Sequence, residues 1–237
     1  MQVIPVIDVK GGLTVSARRG DRARYAPLES PLAESADPVV VAAGLRTLFP
    51  FRTLYVADLD GIEGRGVDVE TQRRLAEFWP GELWIDDGSM GKRDPLTNKS
   101  EPLDPMIKSH VLGSESLKSL NEYEEARAHT PIDAPLSLDF RGDDCIGPPE
   151  LFADASLWPQ RVIVMTLARV GSGEGPDVAR IKSIIARAGK REIYAAGGVR
   201  NASDLAKLQD IGAAGALIAT ALHAGGITRE DLERFAS

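Results

Sequence analysis

The sequence predicts an α/β fold of the (β/α)8 type, a TIM barrel with an internal two-fold half-barrel repeat. Three observations carry this reading. Eight short apolar runs each close in Gly, Asp, Ser or Thr, helical stretches separate most of them, and a segment of the first half recurs in the second. Near-continuous apolar strands suit a sheet covered on both faces. Strand, helix, parallel strand is a βαβ unit, and eight such units close into a barrel of about this length. An open doubly wound sheet uses roughly six strands and a single phosphate loop, so the number of strand endings favours the barrel.

The predicted strands run Val3 to Val9, Thr53 to Ala57, Leu83 to Ile85, His110 to Leu112, Leu136 to Leu138, Val162 to Met165, Glu192 to Ala195 and Gly215 to Ile218. Apolar residues at helical spacing predict helices over Pro38 to Leu48, Val67 to Phe78, Ser119 to Ala128, Pro176 to Ala188, Ala202 to Gln209 and Arg229 to Phe235. Ser203-Asp204 and Thr228 can cap the turns that follow them. Two stretches break the pattern. Asp86 to His110 holds three prolines and little helical periodicity, so the third helix is missing, shortened or displaced. Arg18 to Ala36 is a long charged loop after the first strand, placed to cover a ligand at the strand C-termini. Length and repeat together predict one barrel domain over 1–237, with half-barrels of about 1–130 and 131–237.

With 43% hydrophobic and 27% charged residues the chain has an ordinary globular balance. The net charge of -7 argues against a general affinity for nucleic acid, whose phosphates demand a basic face, but leaves room for a cationic pocket. Cys145 is the one cysteine, so an intrachain disulfide is excluded and a passive thiol in a reducing compartment is expected. No apolar stretch approaches the length of a membrane helix, and the N-terminus has no basic flank or cleavage site. A cytoplasmic protein with no membrane contact follows. His110, His129 and His223 are scattered and Asp86-Asp87 reads as a solvated strand end, so no metal is expected.

The repeat sets Ile4-Pro5-Val6-Ile7-Asp8-Val9-Lys10-Gly11 beside Ala134-Pro135-Leu136-Ser137-Leu138-Asp139-Phe140-Arg141-Gly142. Gly61-Ile62-Glu63-Gly64 has an echo in Gly171-Ser172-Gly173-Glu174-Gly175. Two such halves put Asp8 and Asp139 on opposite sides of one mouth. Strand-end aspartates can also cap helices or hold loop amides. Asp58 and Asp60 stay open between those roles.

Over nearly its whole length the chain resembles the histidine-biosynthesis barrel family, above all its phosphoribosylformimino-aminoimidazole-carboxamide ribotide isomerase. The resemblance lies in Pro5-Val6-Ile7-Asp8-Val9-Lys10-Gly11-Gly12, Val56-Ala57-Asp58-Leu59-Asp60-Gly61, Ser137-Leu138-Asp139 and Ala195-Ala196-Gly197-Gly198-Val199. It implies a cofactor-free isomerase performing an Amadori rearrangement, aminoaldose to aminoketose, on a small phosphorylated metabolite. Asp8 and Asp139 would be the acid–base pair, one protonating the ring oxygen and the other removing the C2 proton. Phosphate would sit on Gly197 and Gly198, where glycine admits the backbone N–H groups, and on Ala219 and Thr220. Gly113, Ser114, Thr166 and Gly171 are further candidate contacts. Arg18, Arg19 and Arg169 are candidate anion partners, Arg169 being either a substrate clamp or a loop arginine.

The chain also departs from that family. The third strand ends Asp86-Asp87-Gly88-Ser89-Met90-Gly91 where the family has a glycine-rich turn for a second phosphate, and carboxylates there repel an anion unless Lys92 or Arg93 compensates. Val170 stands where the family has a carboxylate. The departures resemble diverged paralogues of methylotrophs and methanogens, which implies a different, singly phosphorylated substrate in tetrahydromethanopterin-linked one-carbon metabolism or elsewhere. A catalytically silent barrel that binds a metabolite or a protein partner is the reading from another class.

Overall fold

The computed structural model describes residues 1–89 and 109–235. Alternation along the strands decides what faces where, because successive side chains of a strand point to opposite faces. In β1 (Gln2–Lys10), Ile4 belongs to an inner cluster and Ile7 and Val9 to an outer one beneath the helices. The same split orders β4 (Thr53–Asp58), with Tyr55 and Ala57 inward, and β5 (Glu82–Asp86), with Trp84 inward. It also orders β10 (Arg161–Thr166), β11 (Glu192–Ala196) and β12 (Gly215–Ile218), which contribute Ile163, Tyr194, Ala196 and Leu217. Trp84 and Tyr194 meet edge to face at 5.0 Å between ring centroids and fill the barrel interior.

The parallel order runs β5, β4, β1, β12, β11, β10 and then β8 (Leu136–Arg141). The predicted fourth strand is broken in two. β6 (Ser109–His110) pairs with β5, β7 (Leu112–Gly113) pairs with β8, and Val111 between them turns into the inner cluster. The segment therefore touches both edges and closes the ring. β1 and β8 lie four strands apart in either direction, diametrically opposed, as two repeated halves require.

α1 (Pro38–Leu48), α3 (Val69–Phe78), α4 (Leu120–His129) and α6 (Val178–Ala188) cover the outer face, capped by Asp37, Asp68, Ser119 and Asp177. The cap of α7 (Ala202–Asp210) is Asn201, not the expected Ser203-Asp204 pair. Its side chain accepts from Asp204 N–H, while Asp204 turns back to hold Arg200. Thr228 does cap α9 (Arg229–Phe235), accepting from Asp231 N–H at 3.2 Å. Short helices α2 (Leu59–Ile62), α5 (Pro149–Ala153) and α8 (Thr220–His223) complete the set. Two hairpin extensions project above the mouth: β2 (Leu13–Ser16) with β3 (Ala26–Pro27) after β1, and β9 (Asp144–Ile146) after β8. The third-helix expectation, with Lys92 and Arg93, falls outside the described residues.

Candidate functional site

Strand register sets the mouth. Asp8 is in register with Ala57, and Ala57 with Asp86; on the opposite side Asp139 is in register with Met165, and Met165 with Ala196. The two-fold relation therefore matches Asp8 to Asp139 and Asp86 to Ala196. One residue further on, Asp87-Gly88-Ser89 matches Gly197-Gly198-Val199, and Gly113-Ser114 matches Ala219-Thr220. A cavity of about 290 Å³ opens here, lined by Asp8, Asp86, Glu115 and Asp139 among the acids and by Arg22, Arg141 and Arg200 among the cations.

The central aspartates differ in surroundings. Asp139 is buried and held by three donors: Ser137 Oγ to Oδ1 at 2.8 Å, and Ser114 Oγ and Glu115 N–H to Oδ2 at 2.9 and 3.0 Å. Burial, with Glu115 nearby, raises its pKa to about 7 in spite of those donors. Asp8 is raised to about 6 by burial, with the Arg22 guanidinium pulling the other way. Burial thus lifts both carboxyls from the ordinary carboxylate range toward neutral pH.

On the first face, Gly197 and Gly198 adopt φ of +99° and +87°. A Cβ on Gly197 would come within 2.6 Å of the Thr166 carbonyl oxygen, and one on Gly198 would collide with that of Gly175, so glycine is required at both. The N–H groups of Gly198 and Val199 donate to no acceptor among the described residues. Successive free N–H groups in such a turn form an anion-binding nest. On the matching face the corresponding turn is partly taken up by a carboxylate. Asp87 Oδ1 accepts from Ser89 N–H at 2.9 Å and from Ser89 Oγ at 2.6 Å. Burial would raise the pKa of Asp87, but His110 and Ser89 outweigh it and lower it.

A sequence profile of the family described as "Histidine biosynthesis protein" matches residues 2–228. The chain belongs to the histidine biosynthesis protein family. An uncharacterized protein of Methanocaldococcus jannaschii is 28% identical over 236 residues, covering 98% of this chain and 97% of that one. Relatives in Aquifex aeolicus, at 27% over 245 residues, and Rubrobacter xylanophilus, at 29% over 239 residues, are named phosphoribosyl-(phosphoribosylamino)methylideneamino imidazole carboxamide isomerases. The Aquifex match covers 98% of both chains, and the Rubrobacter match 97% of this one and 94% of the other.

Within this histidine biosynthesis barrel, Asp8, Asp139, Gly171, Gly197, Gly198, Ala219 and Thr220 line the cavity. Other expected contacts stand elsewhere. Arg19, with φ of +52°, points to an exposed ion pair with Glu174 at 3.3 Å. Arg169 donates to the Gly175 carbonyl at 3.0 Å, across its own loop. Gly113, Ser114 and Thr166 are buried outside the cavity lining, and Ser114 acts on Asp139 instead. Asp58 accepts from Asp68 N–H and Gly61 N–H, and Asp60 from Gly11 N–H at 2.6 Å, so both hold loops. Asp86 and Asp87 are 5% and 2% exposed, which overturns their reading as a solvated strand end.

Sequence reasoning passed over Arg22, Tyr25, Tyr55, Glu115 and Arg141. The loop after β1 bends across the mouth, with Arg19 N–H on the Val170 carbonyl at 2.7 Å, and this brings Arg22 to Glu115 at 2.5 Å. No local signal marks Arg22 among its basic neighbours. Tyr55 could have been found, since it stands two residues before Ala57 on the same strand face. Among the described residues no helix is long and apolar enough to cross a membrane.

Proposed function

We propose that this chain is an aldose–ketose isomerase in which Asp8 is the general base and Asp139 the general acid. The observation that carries the reading is the pair itself. Two carboxyls from diametrically opposed strands line one cavity, with pKa values pushed to about 6 and about 7. Proton transfer works best when donor and acceptor pKa lie near the working pH, and groups tuned apart divide the acid and base roles. In an Amadori-type rearrangement Asp139 protonates the ring oxygen of an aminoaldose, and the amine lone pair forms the imine as that C–O bond breaks. Asp8 then takes the C2 proton, leaving an enolamine that tautomerises to the aminoketose. The substrate phosphate sits on the free N–H groups of Gly198 and Val199, beside Ala219 and Thr220.

The carboxylate held in the turn at Asp87 favours a second reading of the substrate within this mechanism. The isomerases of Aquifex and Rubrobacter bear a name with two phosphoribosyl groups. Here the Ser89 N–H that matches Val199 N–H is taken by the Asp87 carboxylate, which also places a negative charge on that face and supports a substrate with a single phosphate. Assaying ribotide isomerisation, with complementation of a strain lacking that isomerase, separates the two. Turnover comparable to that of those relatives would establish the histidine-pathway reaction. No turnover by folded protein, together with binding of one phosphate per chain, is the expected result. Binding of two phosphates would refute the single-phosphate reading.

A further inference from the structure

The cavity wall opposite Gly197–Val199 is built for something other than an anion. Asp86 enters it from the end of β5, and Tyr55 Oη donates to its Oδ2 at 2.7 Å. Its Oδ1 accepts from no described residue, although the side chain is almost wholly buried. Asp8 and Asp139 share the same mouth, while the nearby cation Arg22 is bound to Glu115 at 2.5 Å. Arg22 acts on Asp8 and Asp86 but is itself paired with Glu115, so a donor-rich positive group at Asp86 Oδ1 would further offset the cost of burying that carboxyl. The Ser89 N–H and hydroxyl that would serve an anion at this wall are held by Asp87.

We propose that the wall formed by Asp86 and Tyr55 receives a protonated amine of the substrate, distinct from the nitrogen that reacts and remote from the phosphate, so that the substrate is a monophosphorylated amine. This rests on the reading of Gly197–Val199 as the phosphate site. An ammonium brings three N–H donors. One meets Asp86 Oδ1, and its charge relieves the repulsion between Asp86 and Asp139.

The test is calorimetric binding to the full chain near neutral pH. The probes are inorganic phosphate, pentyl phosphate, aminopentyl phosphate and pentanediol bisphosphate. Aminopentyl phosphate is expected to bind on the order of tenfold more tightly than pentyl phosphate, with the bisphosphate weakest of the three esters. Asp86→Asn, which keeps the side-chain size, is expected to abolish the amine's advantage and leave inorganic phosphate binding unchanged. Equal binding of amine and alkyl esters, or tightest binding of the bisphosphate, overturns the proposal while leaving the phosphate site standing. Failure of every probe to bind removes the phosphate site and this inference together. The ligand series on the unmodified protein decides the matter even if the variant does not fold.

Discussion

Replacing Asp139 by Asn should stabilise the protein at alkaline pH while abolishing its activity. The carboxyl is 2% exposed, and its pKa rises from an ordinary 3.8 to about 7, chiefly because burial disfavours the charged form. In the unfolded chain the group ionises at its ordinary value. Between the two values the folded state holds a proton that the unfolded state has lost, so stability falls as pH rises, by about 1.4 kcal/mol per pH unit. The loss is complete above the folded pKa and corresponds to at most about 4 kcal/mol. Asparagine has no such charge. Its carbonyl can accept from Glu115 N–H and Ser114 Oγ, and its amide can donate to Ser137 Oγ once that hydroxyl rotates. Urea unfolding of both proteins from about pH 4 to about pH 8.5 reads the difference. The curves should nearly coincide at the acid end and diverge to roughly 2–4 kcal/mol in favour of the variant at the alkaline end. A gap that does not change with pH, or a variant less stable throughout, would refute the reasoning.

Four further outcomes follow from the same geometry. The pH–rate profile should be a bell with apparent limbs near 6 and 7 that belong to the pair, and Asp8→Asn should lower kcat by roughly 10²–10⁴-fold with the fold intact. Arg22→Met removes the charge that lowers the Asp8 pKa, so the acidic limb should move to higher pH; an unmoved limb would show that Arg22 does not act on Asp8. Ser114→Ala deletes a donor to Asp139, so the alkaline limb should rise, with a stability loss of about 1–3 kcal/mol by thermal unfolding for the buried groups left unpaired.

How much of the site could be read from the chain follows from what each residue depends on. Asp8 and Asp139 were legible because strand period and the repeated segment are both local properties, and a two-fold barrel leaves repeated strand ends nowhere to go but opposite sides of one mouth. Gly197 and Gly198 were legible for a similar reason, since a turn with positive φ and crowded carbonyls admits little else. The arginines were not. Which of Arg18, Arg19 and Arg22 reaches the cavity depends on how the first loop crosses to Val170, a contact between segments some 150 residues apart in the sequence.

Composition, alternation and repeat by themselves determined the barrel, the orientation of its strands and the opposed acids, because each rests on the covalent order of side chains along one segment. Tertiary structure alone decided that Asp87 takes up Ser89 N–H in the turn matching the one where Gly198 and Val199 stay open, that Ser114 serves Asp139, and that Asp86 lines the cavity. Those outcomes turn on strand register and loop closure across the barrel. Hydrogen bonds form over about 3 Å, a tolerance that a linear pattern of residues does not specify.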